Sequence, residues 1–206
     1  MAKNTRKCKN CNNVFEKARP LQFICTPTCA VQYAAKERLK KVNAEWKQDK
    51  KVLREKLMSN GDYIRILQAV INKIAAIIDY GQPCMSCGKT TGKPQSGHFH
   101  STSAQPALRF NLMNIWRQDY RCNVELSANI QGYLIGLKET LGERIRDCIV
   151  DLPIVYPVLK LDKYQLIEGI KNARKVLKEM DKDCVNDYRE RIVLRKKYNQ
   201  EIGIYK

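Results

Sequence analysis

Closely paired cysteines constrain this chain of 206 residues more than any other feature. The first four form Cys8-x2-Cys11 and, thirteen residues later, Cys25-x3-Cys29. Four thiolates in two knuckles at this separation can surround one tetrahedral zinc ion. Residues 1–30 are too few and too polar to bury a core, so metal binding would supply their folding energy. We therefore predict an N-terminal zinc finger, a module that can bind nucleic acid, bind protein or cap a fold.

A second set combines Cys84-x2-Cys87 with Asp119-x2-Cys122. Asp119 stands where a fourth cysteine would complete the set. A carboxylate oxygen can ligate zinc, although it is a less favourable partner for soft thiolates. The alternative is that the metal has been lost and the three cysteines are ordinary buried thiols. We predict that this site also holds zinc, which makes two zinc ions per chain.

The charge of the chain indicates a polyanionic partner. Lys and Arg number 38 against 21 Asp and Glu, which gives a net charge of +17. Nucleic acid is the commonest partner for such an excess, and an anionic membrane surface is the alternative. The sequence has no apolar N-terminal signal region and no apolar run long enough to span a bilayer. We therefore expect a cytoplasmic protein that does not associate with membranes.

Hydrophobic periodicity predicts helices on both sides of the second cysteine set. Apolar residues fall at helical spacing over 31–58, over 63–78, over 132–150 and over 162–200. Asp62 and Asp162 are predicted as N-caps, and Gly81 as a helix stop. Residues 82–131 lack this period until about Cys122, which indicates a β-hairpin or loops followed by a short helix.

These patterns predict an α+β chain that is mainly helical. The predicted regions are a zinc finger at 1–30, basic and amphipathic helices at 31–80, a zinc-stapled core at 81–131 and a helical region at 132–206.

The helix predicted over 31–58 is strongly basic. Between Lys36 and Lys56 the sequence has nine basic and four acidic residues. A solvated helix face is the simplest interpretation. The functional alternatives are an arm that contacts phosphates or a dimer seam, and the seam would make a homo-oligomer. The candidate phosphate contacts are Lys36, Lys40, Lys41, Lys47 and Lys51.

Both histidines of the chain lie in Ser96-Gly97-His98-Phe99-His100, between the halves of the second cysteine set. A histidine can accept a proton from water near neutral pH. A nearby divalent ion can stabilise the phosphoryl oxygens and the leaving oxygen. Together these are the minimal parts of one-metal phosphodiester hydrolysis. The alternative is that the histidines are structural.

Short motifs continue from the second cysteine set as far as Gly142. They are Pro83-Cys84-x-Ser86-Cys87-Gly88, Gly97-His98-Phe99, Leu108-Arg109-Phe110-x3-Asn114-Ile115, Gln118-x3-Cys122-Asn123, and then Asn129, Tyr133 and Gly142. This series resembles the NinG (Rap) recombination proteins of lambdoid phages. The N-terminal finger and the basic helix occupy the expected places, so the resemblance covers most of the chain.

The resemblance implies a structure-specific endonuclease that cuts branched recombination intermediates such as D-loops and Holliday junctions. It implies a small ββα-metal core of the HNH or treble-clef type, with Mg2+ or Mn2+ as the catalytic ion. His98 matches the general base and Asn114 the residue that orients it or its loop. Asn123 matches the third motif residue, which helps to hold the ion, and Arg109 would contact phosphate. Partners would be branched double-stranded DNA and other phage or host recombination proteins, in the host bacterial cytoplasm.

The sequence departs from the family pattern at four positions. Gln95 replaces an acidic residue that would be a hard ligand for Mg2+. Asp119 replaces a zinc cysteine, and Trp116 and Glu125 stand where the lambda member has histidine. Glu125 or Asp119 could supply a replacement carboxylate. The departures favour an alternative function, a non-catalytic zinc-containing DNA-binding accessory protein. An RNA-binding zinc protein is a third hypothesis.

Overall fold

The computed structural model describes residues 4–180 and 187–205. The chain divides into two compact units, Met1–Met58 and Ser59–Lys206.

The first unit consists of a small hairpin and one long helix. Strands β1 (Thr5–Lys7) and β2 (Val14–Glu16) pair antiparallel. Helix α1 (Pro27–Leu57) begins four residues before the predicted start and extends over 31 residues. Thr26 caps it, because its side chain accepts a hydrogen bond from the Cys29 backbone at 3.2 Å. No residue of α1 is buried, so this helix contributes no core.

The second unit begins with α2 (Asn60–Ile78), whose apolar stripe is buried as predicted. The prediction of Asp62 as the N-cap is wrong. Ser59 is the cap, and Asp62 lies three residues further on, where its carboxylate completes a capping box with the Ser59 backbone. Gly81 follows the helix in the left-handed conformation, with a φ of 77°.

The central region contains the predicted hairpin. Strands β3 (Pro94–His98) and β4 (Ile115–Asp119) pair antiparallel, with His98 opposite Ile115. Short 3-10 turns at Pro106–Leu108 and Leu112–Asn114 lie between the strands. A turn of π-helix at Arg121–Glu125 follows β4.

The remaining helices are α3 (Ile130–Leu141), α4 (Glu143–Val150), α5 (Leu152–Val155), α6 (Lys163–Glu179) and α7 (Tyr188–Ile202). The predicted helix over 132–150 is broken at Gly142, whose φ of 83° interrupts the helical backbone. Asp162 caps α6 as predicted, with a capping box to Gln165. The prediction over 162–200 includes 181–186, which lie outside the described residues.

The core of the second unit lies between the hairpin and the C-terminal helices. Its buried members are Met85, Phe99, Leu108, Met113, Trp116, Tyr133, Leu137, Leu141, Ile149, Leu152 and Ile192. Helices predominate and both sheets have two strands, so the predicted mainly helical α+β class is confirmed. The HNH or treble-clef assignment of the zinc core stays a prediction. Within 4–180 and 187–205, no helix is both long and apolar enough to cross a bilayer.

Candidate functional site

The structure brings the first four cysteines together. The Sγ atoms of Cys8, Cys11, Cys25 and Cys29 all lie within 4.8 Å of one another. Cys8 is buried directly after β1, and Cys29 lies in the first turn of α1, which Thr26 caps. The hairpin and the helix start therefore converge on one point. Four thiols at this spacing fit a tetrahedral zinc ion.

The pKa values of two of these thiols are shifted in opposite directions. Burial raises the pKa of Cys25 to about 12, assisted by hydrogen bonds with the neighbouring thiols. Burial opposes ionisation of Cys8 as well, but backbone N–H groups of Cys11, Asn10 and Cys25 outweigh it and lower its pKa to about 6. Zn2+ binds thiolates, so a bound ion would displace the thiol protons.

The second cluster contains three thiols. The Sγ atoms of Cys84, Cys87 and Cys122 also lie within 4.8 Å of one another. The knuckle is closed by hydrogen bonds from Cys84 N to Lys89 O and from Gly88 N to Cys84 O, each 2.8 Å long.

Helix α3 approaches this knuckle closely, because two glycines face it. A Cβ atom at Gly132 would collide with the carbonyl oxygen of Ser86, and one at Gly136 with that of Met85. The glycines therefore allow the helix to pack directly against the knuckle backbone.

Asp119 lies beside this cluster but outside the set of mutually close ligand atoms. Its backbone N–H donates to Cys84 Sγ at 3.2 Å, and the Cys87 thiol lies 4.0 Å from its Oδ2. Its Oδ1 lies 3.7 Å from the Arg117 guanidinium and makes no hydrogen bond to any described residue. The position next to the thiols is as expected from the motif. Zinc ligation by Asp119 stays a prediction.

His98 is held by a backbone carbonyl. Its Nε2 lies 3.0 Å from the carbonyl oxygen of Arg109, which can only accept a hydrogen bond. Neutral His98 must therefore carry its proton on Nε2, and Nδ1 keeps its lone pair. Burial lowers the pKa of His98, and the charge of Arg109 acts in the same direction, against the opposing effect of the carbonyl hydrogen bond. The ring is thus a neutral base with a defined orientation.

Asn114 is fully buried and ties two backbone segments together. Its Oδ1 accepts from His100 N at 2.8 Å, and its Nδ2 donates to the carbonyls of His100 and Leu108 at 3.0 and 3.3 Å. These bonds join the end of β3 to the loop that presents the Arg109 carbonyl. The Asn114 side chain therefore holds these two segments together from inside the protein.

His100 makes a separate contact. Its Nε2 lies 2.9 Å from the carbonyl oxygen of Ile149 at the end of α4. Its backbone is held by Asn114, and its ring packs edge-on against Phe99 with centroids 4.8 Å apart. These contacts fix the orientation of the His100 ring.

Gln95 and His98 lie on opposite faces of β3. Alternate side chains of a strand point to opposite faces. Ser96 and His98 both face α2. The Ser96 hydroxyl donates to the Asn72 carbonyl at 2.7 Å, and His98 Nε2 lies 3.5 Å from Gln68 Nε2. Gln95 points the other way, where its Oε1 accepts a 2.6 Å hydrogen bond from Asn123. Asn123 therefore contacts Gln95 on the face of β3 opposite to that of His98.

Arg109 is half-buried, and its guanidinium donates to the carbonyl of Thr102 at 3.4 Å. The candidate DNA contacts of the first unit are all exposed along α1. Lys36 donates to Asn10 Oδ1 at 2.9 Å, and Lys40 pairs with Glu37 at 2.7 Å. These are surface contacts that phosphates could replace at little cost.

Comparison with known proteins assigns the family. The family model described as Bacteriophage Lambda NinG protein matches residues 1–183. The chain belongs to the NinG family. Protein ninG of Escherichia phage lambda is 33% identical, and the match covers 69% of this chain and 78% of that protein. Protein ninG of Salmonella phage P22 is 33% identical over 69% and 79% of the two chains. No solved structure matches.

Sequence reasoning missed the polar groups that hold the NinG hairpin. Asp79 is buried after α2 and accepts hydrogen bonds from Arg117 N at 2.8 Å and from Arg195 at 2.7 Å. Gln118 is buried in β4 and donates to Ser86 Oγ and to the carbonyl of Ala128. Gln118 lies two residues after Trp116 in the strand, and a polar residue among buried neighbours indicates a buried hydrogen bond. No local pattern pointed to Asp79, because its side-chain partners Arg191 and Arg195 lie over a hundred residues away.

Proposed function

We propose that this NinG protein is a structure-specific endonuclease that cuts branched DNA during phage recombination, with His98 as the general base. The observation that carries the proposal is the hydrogen bond from His98 Nε2 to the Arg109 carbonyl. It leaves Nδ1 as the proton acceptor, and burial keeps the ring neutral. A neutral, oriented imidazole is what general-base catalysis requires.

In this proposal, Nδ1 takes a proton from water as the water oxygen attacks phosphorus. The bond between phosphorus and the leaving sugar oxygen then breaks, and that oxygen keeps the electron pair and takes a proton from solvent. Arg109, whose own carbonyl holds the base, would neutralise phosphate charge with its guanidinium. Asn114 acts through the backbone that it ties together.

The two kinds of metal fit these residues differently. Both cysteine clusters offer soft thiolates and suit structural zinc. Mg2+ and Mn2+ prefer carboxylate oxygens, whereas Gln95 and Asn123 offer amide oxygens and hydrogen-bond to each other. These two residues do not by themselves fit a catalytic divalent ion, so no step is assigned to one here.

DNA recognition in this proposal rests on charge and shape. The net charge of +17 and the exposed lysines of α1 favour phosphate contacts, which do not depend on base sequence. A branched substrate would be chosen by the geometry of its phosphates. Two zinc ions would hold the surfaces that make these contacts.

The test is nicking of a labelled four-way junction by two matched variants. In His98→Gln and His100→Gln, the new side-chain amide can donate to the same carbonyl that accepts from the histidine ring in the wild type. Only His98→Gln removes the proposed base, so it should cut about 100- to 10,000-fold more slowly with unchanged affinity. His100→Gln should cut at close to the wild-type rate. Each protein is assayed after chelation and again with added Mg2+ or Mn2+. Normal cleavage by folded His98→Gln would reject His98 as the base.

A second candidate is a non-catalytic zinc-containing DNA-binding protein. The hydrogen bond between Gln95 and Asn123 favours it, because an amide pair occupies the place of the family's acidic ligand. This candidate predicts tight junction binding with no nicking in any ion. Restoring the acid by Gln95→Asp should then create or increase cutting. If structured RNA displaces the labelled junction better than unlabelled junction does in a competition binding assay, that result would instead favour an RNA-binding protein.

A further inference from the structure

The segment that holds His98 is itself held by the last helix of the chain. Residues 107–115 include parts of both 3-10 turns and present the Arg109 carbonyl to His98. Side chains of α7 and of the residues after it hydrogen-bond to this segment at both ends. The family model matches residues 1–183, whereas α7 begins at Tyr188. The support therefore comes from a part of the chain beyond that match.

Tyr205 bridges the two sides of Arg109. Its hydroxyl donates to the carbonyl of Ala107 at 2.7 Å and accepts from the backbone N–H of Phe110 at 3.2 Å. The ring is 7% exposed, so water cannot easily replace either bond. One hydroxyl thus satisfies two buried backbone groups and closes the turn at whose centre Arg109 lies.

Asn199 and Arg195 hold the other end of the segment. Asn199 accepts from Leu112 N at 3.0 Å and donates to the side chain of Asn111 at 2.9 Å. Arg195 donates to the carbonyls of Leu112 and Ile115 at 3.2 and 3.1 Å. Its guanidinium also lies 3.7 Å from the centre of the Trp116 ring and contacts Asp79. Five of the six bonds that fix the segment from α7 and Tyr205 therefore end on its backbone.

We propose that Tyr205, with Asn199 and Arg195, is a positioning residue that sets the Arg109 carbonyl and thereby the ring orientation of His98. The catalytic consequence rests on the proposed function, but the orientation of the ring does not. Loss of the Tyr205 hydroxyl leaves the Ala107 carbonyl and the Phe110 N–H without their partner in a buried place. The turn between them relaxes, and the Arg109 carbonyl moves away from Nε2.

The first experiment measures the ring nitrogens of His98 by 15N NMR of the full-length zinc-loaded protein. The chain has two histidines, so both rings can be assigned unambiguously. In the wild type above the pKa of His98, Nε2 should be protonated and Nδ1 bare. In Tyr205→Phe the two 15N shifts should converge as the tautomers mix. The His100 ring, held by Ile149, serves as the internal control.

The matched variant is Tyr156→Phe. The Tyr156 ring lies 5.0 Å from that of Tyr205, but its hydroxyl is not among the groups that hold residues 107–115. Tyr156→Phe should leave the His98 shifts unchanged. If Tyr205→Phe does not fold, Asn199→Ala removes the bonds at the other end and should cause the same convergence. Unchanged His98 shifts in a folded Tyr205→Phe or Asn199→Ala protein would overturn the proposal.

The second experiment measures junction nicking at saturating DNA. Tyr205→Phe should cut about 10- to 100-fold more slowly without a change in affinity, because the base is misplaced and the DNA contacts are retained. An unchanged rate would overturn the catalytic part of the proposal. If the wild type does not cut at all, the proposed function fails, and the NMR comparison still decides whether Tyr205 positions His98.

Discussion

The two compact units hold a cysteine cluster each, but they use it differently. In Met1–Met58 the four thiols cluster at the point where the hairpin meets the helix, and helix α1 has no buried residue that could form a hydrophobic core. In Ser59–Lys206 the three thiols lie at the edge of a core that includes a fully buried Trp116 and Tyr133. Metal binding should therefore provide most of the folding energy of the first unit. In the second unit it should reinforce a fold that hydrophobic packing already stabilises.

The largest difference between the two units should appear when zinc is removed. Cys8→Ser should unfold the first unit's hairpin, because structural zinc contributes on the order of 10 kcal/mol to the folding of such modules. Cys84→Ser should leave the helices of the second unit folded. Backbone amide NMR spectra and zinc content of both variants check this, with two zinc ions per wild-type chain. Unfolding of the second unit in Cys84→Ser would show that the second cluster is also essential for folding.

The second-largest effect should come from Asp79, which tests whether the second unit depends on its buried polar groups. Asp79→Asn removes the charge that faces Arg191 and Arg195, at 3.3 and 2.7 Å. Breaking a buried ion pair from one side costs about 3–5 kcal/mol. Thermal unfolding should show a lower Tm for the second unit and an unchanged signal from the finger. Asp147→Asn, in the exposed pair with Arg146, is the control and should have little effect.

The lysines of α1 test whether the first unit provides affinity while the second provides chemistry. Changing Lys40, Lys41, Lys47 and Lys51 to Gln should weaken junction binding and flatten its dependence on salt. For the wild type, a few-fold rise in salt should weaken binding by roughly 10- to 1000-fold through counterion release. The cutting rate at saturating DNA should not change. Equal salt dependence in the variant and the wild type would locate the phosphate contacts elsewhere.

The smallest expected effect is a pH dependence of stability from His98. Burial lowers its pKa in the folded state, so the unfolded chain binds this proton more tightly. The contribution of His98 to stability should be constant above pH ~6.5, the ordinary value for histidine, and should fall as the pH drops below it, by at most about 1.4 kcal/mol per pH unit. Denaturant unfolding of wild type and variants at several pH values measures this contribution as the difference between them. The slope between pH ~6.5 and lower values should be smaller in His98→Gln than in the wild type and unchanged in His100→Gln.

Much of the fold could be predicted because its signals are local. The periodicity of α2 and the cap at Asp162 identified helices that the structure contains. The cysteine spacings identified both clusters, since knuckles of this kind are short sequence motifs. Two errors were also local. Ser59 and Asp62 are both good caps, and only the capping box distinguishes them. The run over 132–150 was predicted as helical throughout, whereas Gly142 divides it into α3 and α4.

The candidate site was less predictable, because its geometry depends on long-range contacts. The motif identified His98 and Asn114 but not the bond from His98 to the Arg109 carbonyl, which is a backbone group and leaves no mark on residue type. Strand alternation puts Gln95 and His98 on opposite faces, yet only the structure shows that Asn123 joins Gln95. The sequence gives no sign of the hydrogen bonds between Tyr205 and the backbone of this loop, since their partners lie 95 and 98 residues away.

The sequence by itself determined where metal can bind, which segments are helical and that the chain carries a large positive charge. Each of these depends on neighbours along the chain or on composition alone. The tertiary structure decided which nitrogen of His98 is free, which face of β3 meets Asn123, and which C-terminal side chains hold the loop between the strands. These depend on hydrogen bonds between groups far apart in sequence, and such bonds form only after the core has brought their partners together.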